Sequence, residues 1–226
     1  MTEDLSDKRV RHFFDLSFEL AVKLSEESER GSILISCSEV EKYLEKVVIA
    51  VFPDNSRSYI NRLLKYPGSL SSFSSQIELT FAFRLIEESA YNALNTLRSI
   101  RNKAAHSSDS FSLMPYKIQL EKIFELREGY SEWIDKMAYD NMMNYKIQKL
   151  KKDAIAKGLD VNEVEKIWRK KIEQPDSKES LDRQHLSWKL TYGLSLLCMY
   201  LEDIEKEVKY SLKNHITWVS AINMNA

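Results

Sequence analysis

The chain has 226 residues, of which 43% are hydrophobic and 30% charged, so it is long enough to bury a sizeable core in one or two domains. Its five glycines and four prolines are few for a loop-rich β protein and favour long uninterrupted helices. A formal net charge of −1 excludes a globally basic nucleic-acid-binding protein, although it leaves room for a local basic patch.

The cysteines and the N-terminal segment indicate the cellular compartment. Cys37 and Cys198 each lie within an apolar periodic run, which is typical of small buried side chains in a reducing compartment and not of a disulfide or metal pair. The N-terminal sequence MTEDLSDKRVRHFF lacks the long apolar stretch of a signal peptide. No apolar run approaches the roughly 20 residues that span a bilayer. We therefore expect a cytoplasmic protein without a membrane-spanning segment.

Hydrophobic periodicity predicts helices throughout the first half of the chain. A first helix is expected over residues 5–29. The second has apolar side chains that recur every three or four positions along the seam of an amphipathic helix. They are Ile33, Cys37, Val40, Leu44, Val47 and Val51. Pro53 is expected to stop this helix, because proline cannot continue the hydrogen-bond ladder. A short helix should follow over residues 56–66.

Two further helices are predicted before residue 115. A serine-rich entry precedes residues 77–86, and Ser74 is a loose N-cap candidate there, since its side-chain oxygen can accept from a free N–H group of the first turn. The next helix is predicted over residues 89–106, followed by the serines and aspartate of 107–110. Its inward-facing positions are Leu94, Leu97 and either Ile100 or Arg101. Antiparallel packing of these helices as a bundle is the economical arrangement.

The composition changes beyond Pro115. A long helix is predicted over residues 116–158, interrupted only at Gly129, and a polar hinge over residues 173–180. The last helix, over residues 181–212, has a narrow apolar stripe at coiled-coil spacing that can pack against the preceding helix or a second subunit. The stripe consists of Leu190, Leu194, Leu197, Leu201, Ile204 and Val208. The sequence thus predicts an all-α protein, with an antiparallel helical bundle over residues 1–115 and a long C-terminal helical extension over 116–226.

The stretch LRSIRNKAAHSS, residues 97–108, holds the candidate site. At 100° per residue, Arg98, Asn102 and His106 share one stripe of the predicted helix, whereas Arg101 lies about 140° from His106. An imidazole that acts as general acid or base and a guanidinium that stabilises a phosphorane suit metal-independent RNA cleavage. Asn102 can hold the imidazole in one tautomer or position a ribose hydroxyl. Only the reach of the arginine, a loosened last turn or a second subunit can bring Arg101 and His106 onto one phosphate.

A structural interpretation of the same residues stays open. Arginine and histidine near the C-terminal end of a helix interact favourably with the negative end of its dipole. Ser107 and Ser108 can then satisfy the remaining backbone groups. On this interpretation the pattern stabilises a helix end and carries no chemistry.

Other chemical signatures are weak or missing in the sequence. His12, His185 and His215 have no Cys, Asp or Glu at ligand spacing, so neither a metal site nor a cofactor is expected. Glycine-rich nucleotide loops and the nucleophile elbow are missing too. Residues 146–171 contain nine Lys or Arg against four Asp or Glu, which is typical of a solvated helix face but also suits phosphate binding.

Three separated blocks in the first half of the chain resemble the mannitol operon repressor (MltR) family. They are ESERGSILISCSEVEKYLEKVV at residues 27–48, PGSLSSFSSQIELTFAFRLI at 67–86 and LRSIRNKAAHSSDSFSL at 97–113. The blocks occur in the same order in that family, and the similarity covers about half of the chain. The Arg-Asn-x-x-x-His spacing also resembles the ribonuclease motif of the wider HEPN superfamily.

The HEPN resemblance implies a helical bundle, often dimeric, and in many members an endoribonuclease of toxin–antitoxin or antiviral systems. The motif arginine falls on Arg101, the polar residue after it on Asn102 and the histidine on His106. In those enzymes the motifs of two subunits face one cleft, which would bring the separated side chains together. The MltR resemblance instead implies transcriptional repression, but the sequence has no helix-turn-helix signal with a basic recognition helix.

Two functions are therefore expected as alternatives. The first is a metal-independent endoribonuclease of HEPN type, a homodimer that acts on RNA in a toxin–antitoxin or phage-defence setting, with an antitoxin or other protein partner. The second is a non-catalytic MltR-like regulator or protein-interaction module. The catalytic residues of the first are Arg101, Asn102 and His106. The residues expected to bind its substrate are Arg98, Lys103, Lys151, Lys152, Lys170 and Lys171.

Overall fold

The computed structural model describes residues 5–52, 57–107 and 110–223, and this part of the chain forms helices and turns without a strand. The helices are α1 (Leu5–Leu24), α2 (Glu29–Ala50), α3 (Arg57–Leu64), α4 (Phe73–Ala82), α5 (Glu88–His106), α6 (Lys117–Phe124), α7 (Tyr130–Ala156), α8 (Val161–Ile172) and α9 (Pro175–Asn223), with a 3₁₀ turn (Met114–Tyr116) between α5 and α6. The predicted all-α fold is confirmed.

The first two helices separate earlier than predicted. α1 ends at Leu24, and Ser28 begins α2 as its N-cap, with its side-chain oxygen accepting from the Gly31 N–H at 3.0 Å. A serine N-cap satisfies one free donor of the first turn, which explains why the chain restarts a helix here. The predicted α2 seam is buried from Ile33 to Val47. The predicted stop at Pro53 lies outside the described residues.

The N-cap of α4 is Ser72, so the prediction of Ser74 is wrong. The Ser72 side-chain oxygen accepts from the Ser75 N–H at 3.1 Å. Ser74 instead faces α5, where its hydroxyl accepts a hydrogen bond from Arg98. Three serines in four positions each offer the same capping chemistry, and only the packing of α4 against α5 decides which of them caps.

The predicted helix over residues 116–158 is two helices. α6 ends at Phe124, and α7 begins after Gly129, which adopts a left-handed conformation with φ of 80°. Glycine reaches this conformation without a steric penalty, so residues 125–129 form the turn that separates α6 from α7.

The predicted polar hinge over residues 173–180 is shorter than expected: a turn at residues 173–174 separates α8 from α9, which begins at Pro175 and continues to Asn223. Proline fits the first turn of a helix, where its missing N–H is not needed, and Asp176 complements the positive end of the helix dipole. With 49 residues, α9 spans about 74 Å.

α9 is the central helix of the fold and packs against α1, α2, α6, α7 and α8. The part of the predicted leucine stripe from Leu190 to Leu201 is buried against these helices of the same chain. Apolar side chains from both sides of residue 115 join one hydrophobic cluster, including Ile33 and Leu97 from the first part and Ile134 from the second. The candidate site on α5 is therefore supported by helices from both parts of the chain.

Two smaller observations concern the hydropathy of the helices and the cysteines. None of the helices in the described ranges combines the length and hydropathy that a membrane span requires. Both cysteines are free thiols, Cys37 buried and Cys198 half-buried.

Candidate functional site

The three predicted catalytic side chains lie in the last two turns of α5. Arg101, Asn102 and His106 are exposed, whereas Ile100 and Ala104 on the same turns are fully buried. The buried positions fix the orientation of the helix against the core. The polar group is therefore presented to solvent from a rigid support.

Arg101 and Asn102 contact each other directly. The Nη1 of Arg101 donates to the side-chain oxygen of Asn102 at 3.3 Å. Asn102 is predicted from the sequence to hold the imidazole or a ribose hydroxyl, but in the structure its side-chain oxygen accepts from the guanidinium. Asn102 thus orients Arg101, and its amide nitrogen remains a donor for a ligand.

Arg101 also lies within electrostatic reach of α2. Burial raises the pKa of the Glu41 carboxyl, while the Arg101 guanidinium opposes this rise and Glu45 adds to it. Burial likewise raises the pKa of the Cys37 thiol to about 12, against the effect of Arg101. The thiol donates to the Leu97 carbonyl oxygen at 3.9 Å. At neutral pH the thiol is therefore protonated and is not a nucleophile.

Glu41 is the residue near the site that sequence reasoning missed, because it was counted among the water-facing positions of α2. In the structure its side chain is half-buried. The available signal was its position one turn after Cys37, which places it at the border of the buried seam. Its carboxylate is close enough to Arg101 to weaken the attraction of the guanidinium for an anion.

Two residues predicted to bind substrate contact their own chain. Arg98 is half-buried, and its Nη1 donates to the Ser74 hydroxyl at 2.9 Å, which fastens α5 to the start of α4. The amine of Lys103 lies 5.0 Å from the centre of the Tyr116 ring, in a cation–π contact with the 3₁₀ turn. Both cations thus hold the surroundings of the motif in place.

His106 is the last residue of α5. The helix closes with the Ser107 N–H donating to the Lys103 carbonyl oxygen at 3.0 Å. Within the described ranges, neither the Arg101 side chain nor the His106 side chain donates a hydrogen bond to a carbonyl oxygen of this last turn. The predicted end at residues 107–110 includes positions 108 and 109, which lie outside the described residues. The helix end is thus closed by backbone, and the imidazole is presented to solvent.

The basic residues of the second half are divided between three environments. Lys151 forms an ion pair with Glu165 at 3.0 Å, and Glu165 also pairs with Arg169 at 2.7 Å. Lys152 is exposed. Lys170 and Lys171 are exposed as well and line two separate open cavities, that of Lys170 along α8 and that of Lys171 between α7, α8 and α9. These residues therefore do not form one continuous phosphate-binding row.

A partly buried ion cluster joins α6, α7 and α9. The amine of Lys189 lies 3.0 Å from Glu121 and 3.2 Å from Asp135, and 4.7 Å from the centre of the Phe124 ring. The His185 Nε2 lies 3.0 Å from the Asp135 carbonyl oxygen. One ammonium shared by two carboxylates thus connects the three helices.

The fold and the site together define the class of the protein, an all-α helical bundle that presents an Arg-Asn-His group at the end of one helix. Comparison of the chain with models of protein families, with curated proteins and with solved structures found no match in any of the three. In the described part of the chain, no group of three or more His, Cys, Asp or Glu side chains is placed to hold a metal ion.

Proposed function

We propose that this protein is a metal-independent endoribonuclease that acts as a homodimer. His106 is the general acid or base, Arg101 stabilises the charge on the scissile phosphate, and Asn102 orients the guanidinium. The proposal rests on the HEPN-like spacing of these residues and on one structural observation in particular. All three side chains are exposed together at one end of α5.

The exposure of Arg101 and His106 favours this function over a purely structural role. A capping role would direct these side chains to the carbonyl oxygens of the last helical turn, where they would stabilise the negative end of the dipole. In the described ranges neither side chain donates to those oxygens, and closure by the Ser107 N–H fits both interpretations. Both side chains are accessible to an external anion.

The chemistry assigned to the group needs only acid–base catalysis and charge stabilisation. A general base removes the proton of a ribose 2′-hydroxyl, whose oxygen attacks the adjacent phosphorus. The bond from phosphorus to the 5′-oxygen breaks, and a general acid protonates the leaving oxygen, giving a 2′,3′-cyclic phosphate and a 5′-hydroxyl. The planar fork of Arg101 matches two phosphate oxygens and offsets the negative charge of the pentacoordinate phosphorus.

A second copy solves the angular problem within one chain. Arg101 and His106 are separated by about 140° around α5, which directs them to different sides of the helix. A twofold axis next to the end of α5 would place Arg101 of one copy opposite His106 of the other. Such isologous pairing is the commonest form of homodimer.

The cellular setting belongs to the same proposal. An endoribonuclease of this kind acts in a toxin–antitoxin or phage-defence system, with RNA as substrate and an antitoxin or other protein as partner. This setting is supported by the HEPN resemblance of the motif.

The test is cleavage of end-labelled RNA by the purified protein in EDTA. We expect wild-type protein to cleave, and His106→Ala and Arg101→Ala to lose at least about 100-fold in rate, the loss typical of a catalytic acid–base or oxyanion donor. Arg57→Ala removes the same charge from an exposed site on α3 and is the matched control, with an unchanged rate. If wild-type protein and His106→Ala leave the RNA equally intact, the proposed endoribonuclease activity is excluded.

The non-catalytic regulator or interaction module is the second candidate, and one observation favours it. Arg101 is held by Asn102 and is attracted by Glu41, so its charge is partly satisfied by its own chain. In that case the three side chains stabilise a protein interface. A His106→Ala variant that loses several degrees of melting temperature, together with a wild type that leaves RNA intact, would support this candidate.

A further inference from the structure

An open cavity of about 360 Å³ lies where α7, α8 and α9 meet. Lys146 from α7 lines it, together with Trp168 and Lys171 from α8 and Asp176 and Gln184 from α9. The size lies within the range of small-molecule sites in proteins. The amines of Lys146 and Lys171 and the indole of Trp168 thus line the same cavity.

Lys146 is the cavity residue whose surroundings most favour an anion. Its side chain is half-buried, and its amine donates to the neutral side-chain oxygen of Gln184. Burial lowers the pKa of the amine, and the positive charge of Lys149 lowers it further. Among the described carboxylates, none lies within ion-pair distance of Lys146. A partly desolvated ammonium without a counter-charge favours binding of an anion.

Other basic residues of α7 and α8, outside the cavity, have carboxylate partners that Lys146 lacks. Five residues along α7 from Lys146, Lys151 pairs with Glu165 at 3.0 Å, and Arg169 on α8 pairs with the same carboxylate at 2.7 Å. Lys171 stands beside Trp168 in the cavity wall instead. Of the basic residues on α7 and α8, Lys151 and Arg169 are thus paired with Glu165, whereas Lys146 and Lys171 line the cavity.

We propose that this cavity binds a nucleotide, with the phosphate between Lys146 and Lys171 and the base against Trp168. An indole beside two amines matches the two chemical parts of a nucleotide, a flat aromatic base and an anionic phosphate. The nucleotide is one unit of an RNA strand or a free molecule. The choice of RNA rests on the proposed function, whereas the site itself does not.

Asp176 provides a separate test of where the phosphate lies. Its carboxylate lines the same cavity and repels a phosphate, so its removal strengthens binding if the phosphate lies there. Asp176→Asn should therefore tighten nucleotide binding about twofold to threefold, the size expected for one partly screened charge.

The experiment measures binding of two probes to the full-length His106→Ala protein, which lacks the proposed general acid or base and so should leave the RNA probe intact. The probes are fluorescein-labelled hexaadenylate, followed by anisotropy, and 5′-AMP, followed by calorimetry. Lys146→Gln and Lys171→Gln should each weaken binding about tenfold, and Trp168→Leu about fivefold, as base–aromatic stacking predicts. Trp168→Phe retains an aromatic ring and should bind nearly as wild type.

Lys136→Gln and Lys157→Gln are the matched controls, because they remove the same charge from exposed positions of α7 and its C-cap, outside the cavity. Both should change affinity less than about twofold. Equal losses in the control and cavity variants would show general electrostatic attraction and overturn the site. Inorganic phosphate that competes as well as 5′-AMP would overturn the role of Trp168.

The two probes also separate the sources of the nucleotide. Binding of both shows that the site holds RNA, and binding of 5′-AMP alone shows that it holds a free nucleotide. Binding of neither overturns the site. Because binding is measured without cleavage, loss of the nuclease activity and loss of this site are independent results.

Discussion

The guanidinium of Arg101 donates a hydrogen bond to the side-chain oxygen of Asn102 at 3.3 Å, on the exposed end of α5. Both side chains face solvent, so this contact contributes little to folding. Its effect is on the direction of the guanidinium fork. Substitution of Asn102 should therefore change activity and leave stability unchanged.

The first prediction concerns two substitutions of Asn102. Asn102→Ala should lower the single-turnover rate of RNA cleavage about tenfold, because the guanidinium loses its orientation. Asn102→Asp should lower the rate further, since the new carboxylate pairs with Arg101 and repels the phosphate. Melting temperatures should stay within about 2 °C of wild type. Asn92→Ala, at an exposed position of the same helix, is the control. If Asn102→Asp cleaves RNA faster than Asn102→Ala, the side chain at position 102 acts on the imidazole of His106.

The second prediction follows from the raised pKa of Glu41. The folded protein binds the Glu41 proton more tightly than the unfolded chain, so this group favours folding at low pH. That contribution declines as the pH rises from the ordinary value of 4.5 through the raised folded value. Glu41→Gln removes the decline. Urea unfolding should show the variant gaining stability relative to wild type between about pH 4 and pH 7.

Glu128→Gln is the control for this measurement, because Glu128 is exposed. It should show no comparable gain. A Glu41→Gln variant whose stability relative to wild type falls over the same pH range would mean that Arg101 dominates over burial.

The third prediction concerns the close packing of α9 against α6. A Cβ atom at Gly193 would lie 2.6 Å from the Cδ1 atom of the Phe124 ring, which is fully buried. Alanine raises helix propensity by about 1 kcal/mol. Overpacking costs about 1–3 kcal/mol, and a ring fixed in the core cannot move away. Gly193→Ala should therefore lower the free energy of unfolding in urea.

Gly31→Ala is the matched control in α2. Its Cβ atom would approach the exposed and flexible carboxylate of Glu27 at 3.0 Å, which can move aside. This variant should keep or gain stability, as the higher helix propensity of alanine predicts. If both glycine variants are stabilised, the contact between Gly193 and Phe124 is looser than described.

The fourth prediction concerns the two thiols. Burial raises the pKa of both Cys37 and Cys198 to about 12. Since only the thiolate reacts, iodoacetamide should label the native protein at pH 8 at less than about 1% of the rate in denaturant. Mass spectrometry of each cysteine peptide measures this. Rapid labelling of Cys37 in the native protein would show that the interior beside Arg101 opens readily.

Much of the fold could be predicted because hydrophobic spacing reports which side of a helix is buried. The α2 seam from Ile33 to Val47 and the α9 stripe from Leu190 to Leu201 follow directly from that spacing. The errors in the predicted helix boundaries lie where one residue type is compatible with two local structures. Pro175 indicates a break in a sequence but also fits the first turn of a helix. Ser72 and Ser74 offer the same capping oxygen, and tertiary packing selects between them.

The candidate site could be predicted in part. Helical spacing gives the relative angles of Arg101, Asn102 and His106, and their exposure agrees with a role outside the core. The neighbourhood of Glu41 and the cavity beside Lys146 depend on how separate helices pack. Neither follows from the pattern of one helix, because residues distant in sequence meet only in the folded chain.

The central claim is that Arg101 of one copy and His106 of another form one active site. The most direct test mixes Arg101→Ala protein with His106→Ala protein, each inactive alone, and measures RNA cleavage in EDTA after subunit exchange. In a mixed dimer one of the two sites keeps both residues, so an equal mixture should recover about a quarter of the wild-type rate. A mixture that exchanges subunits and yet remains as inactive as its components would contradict the shared site.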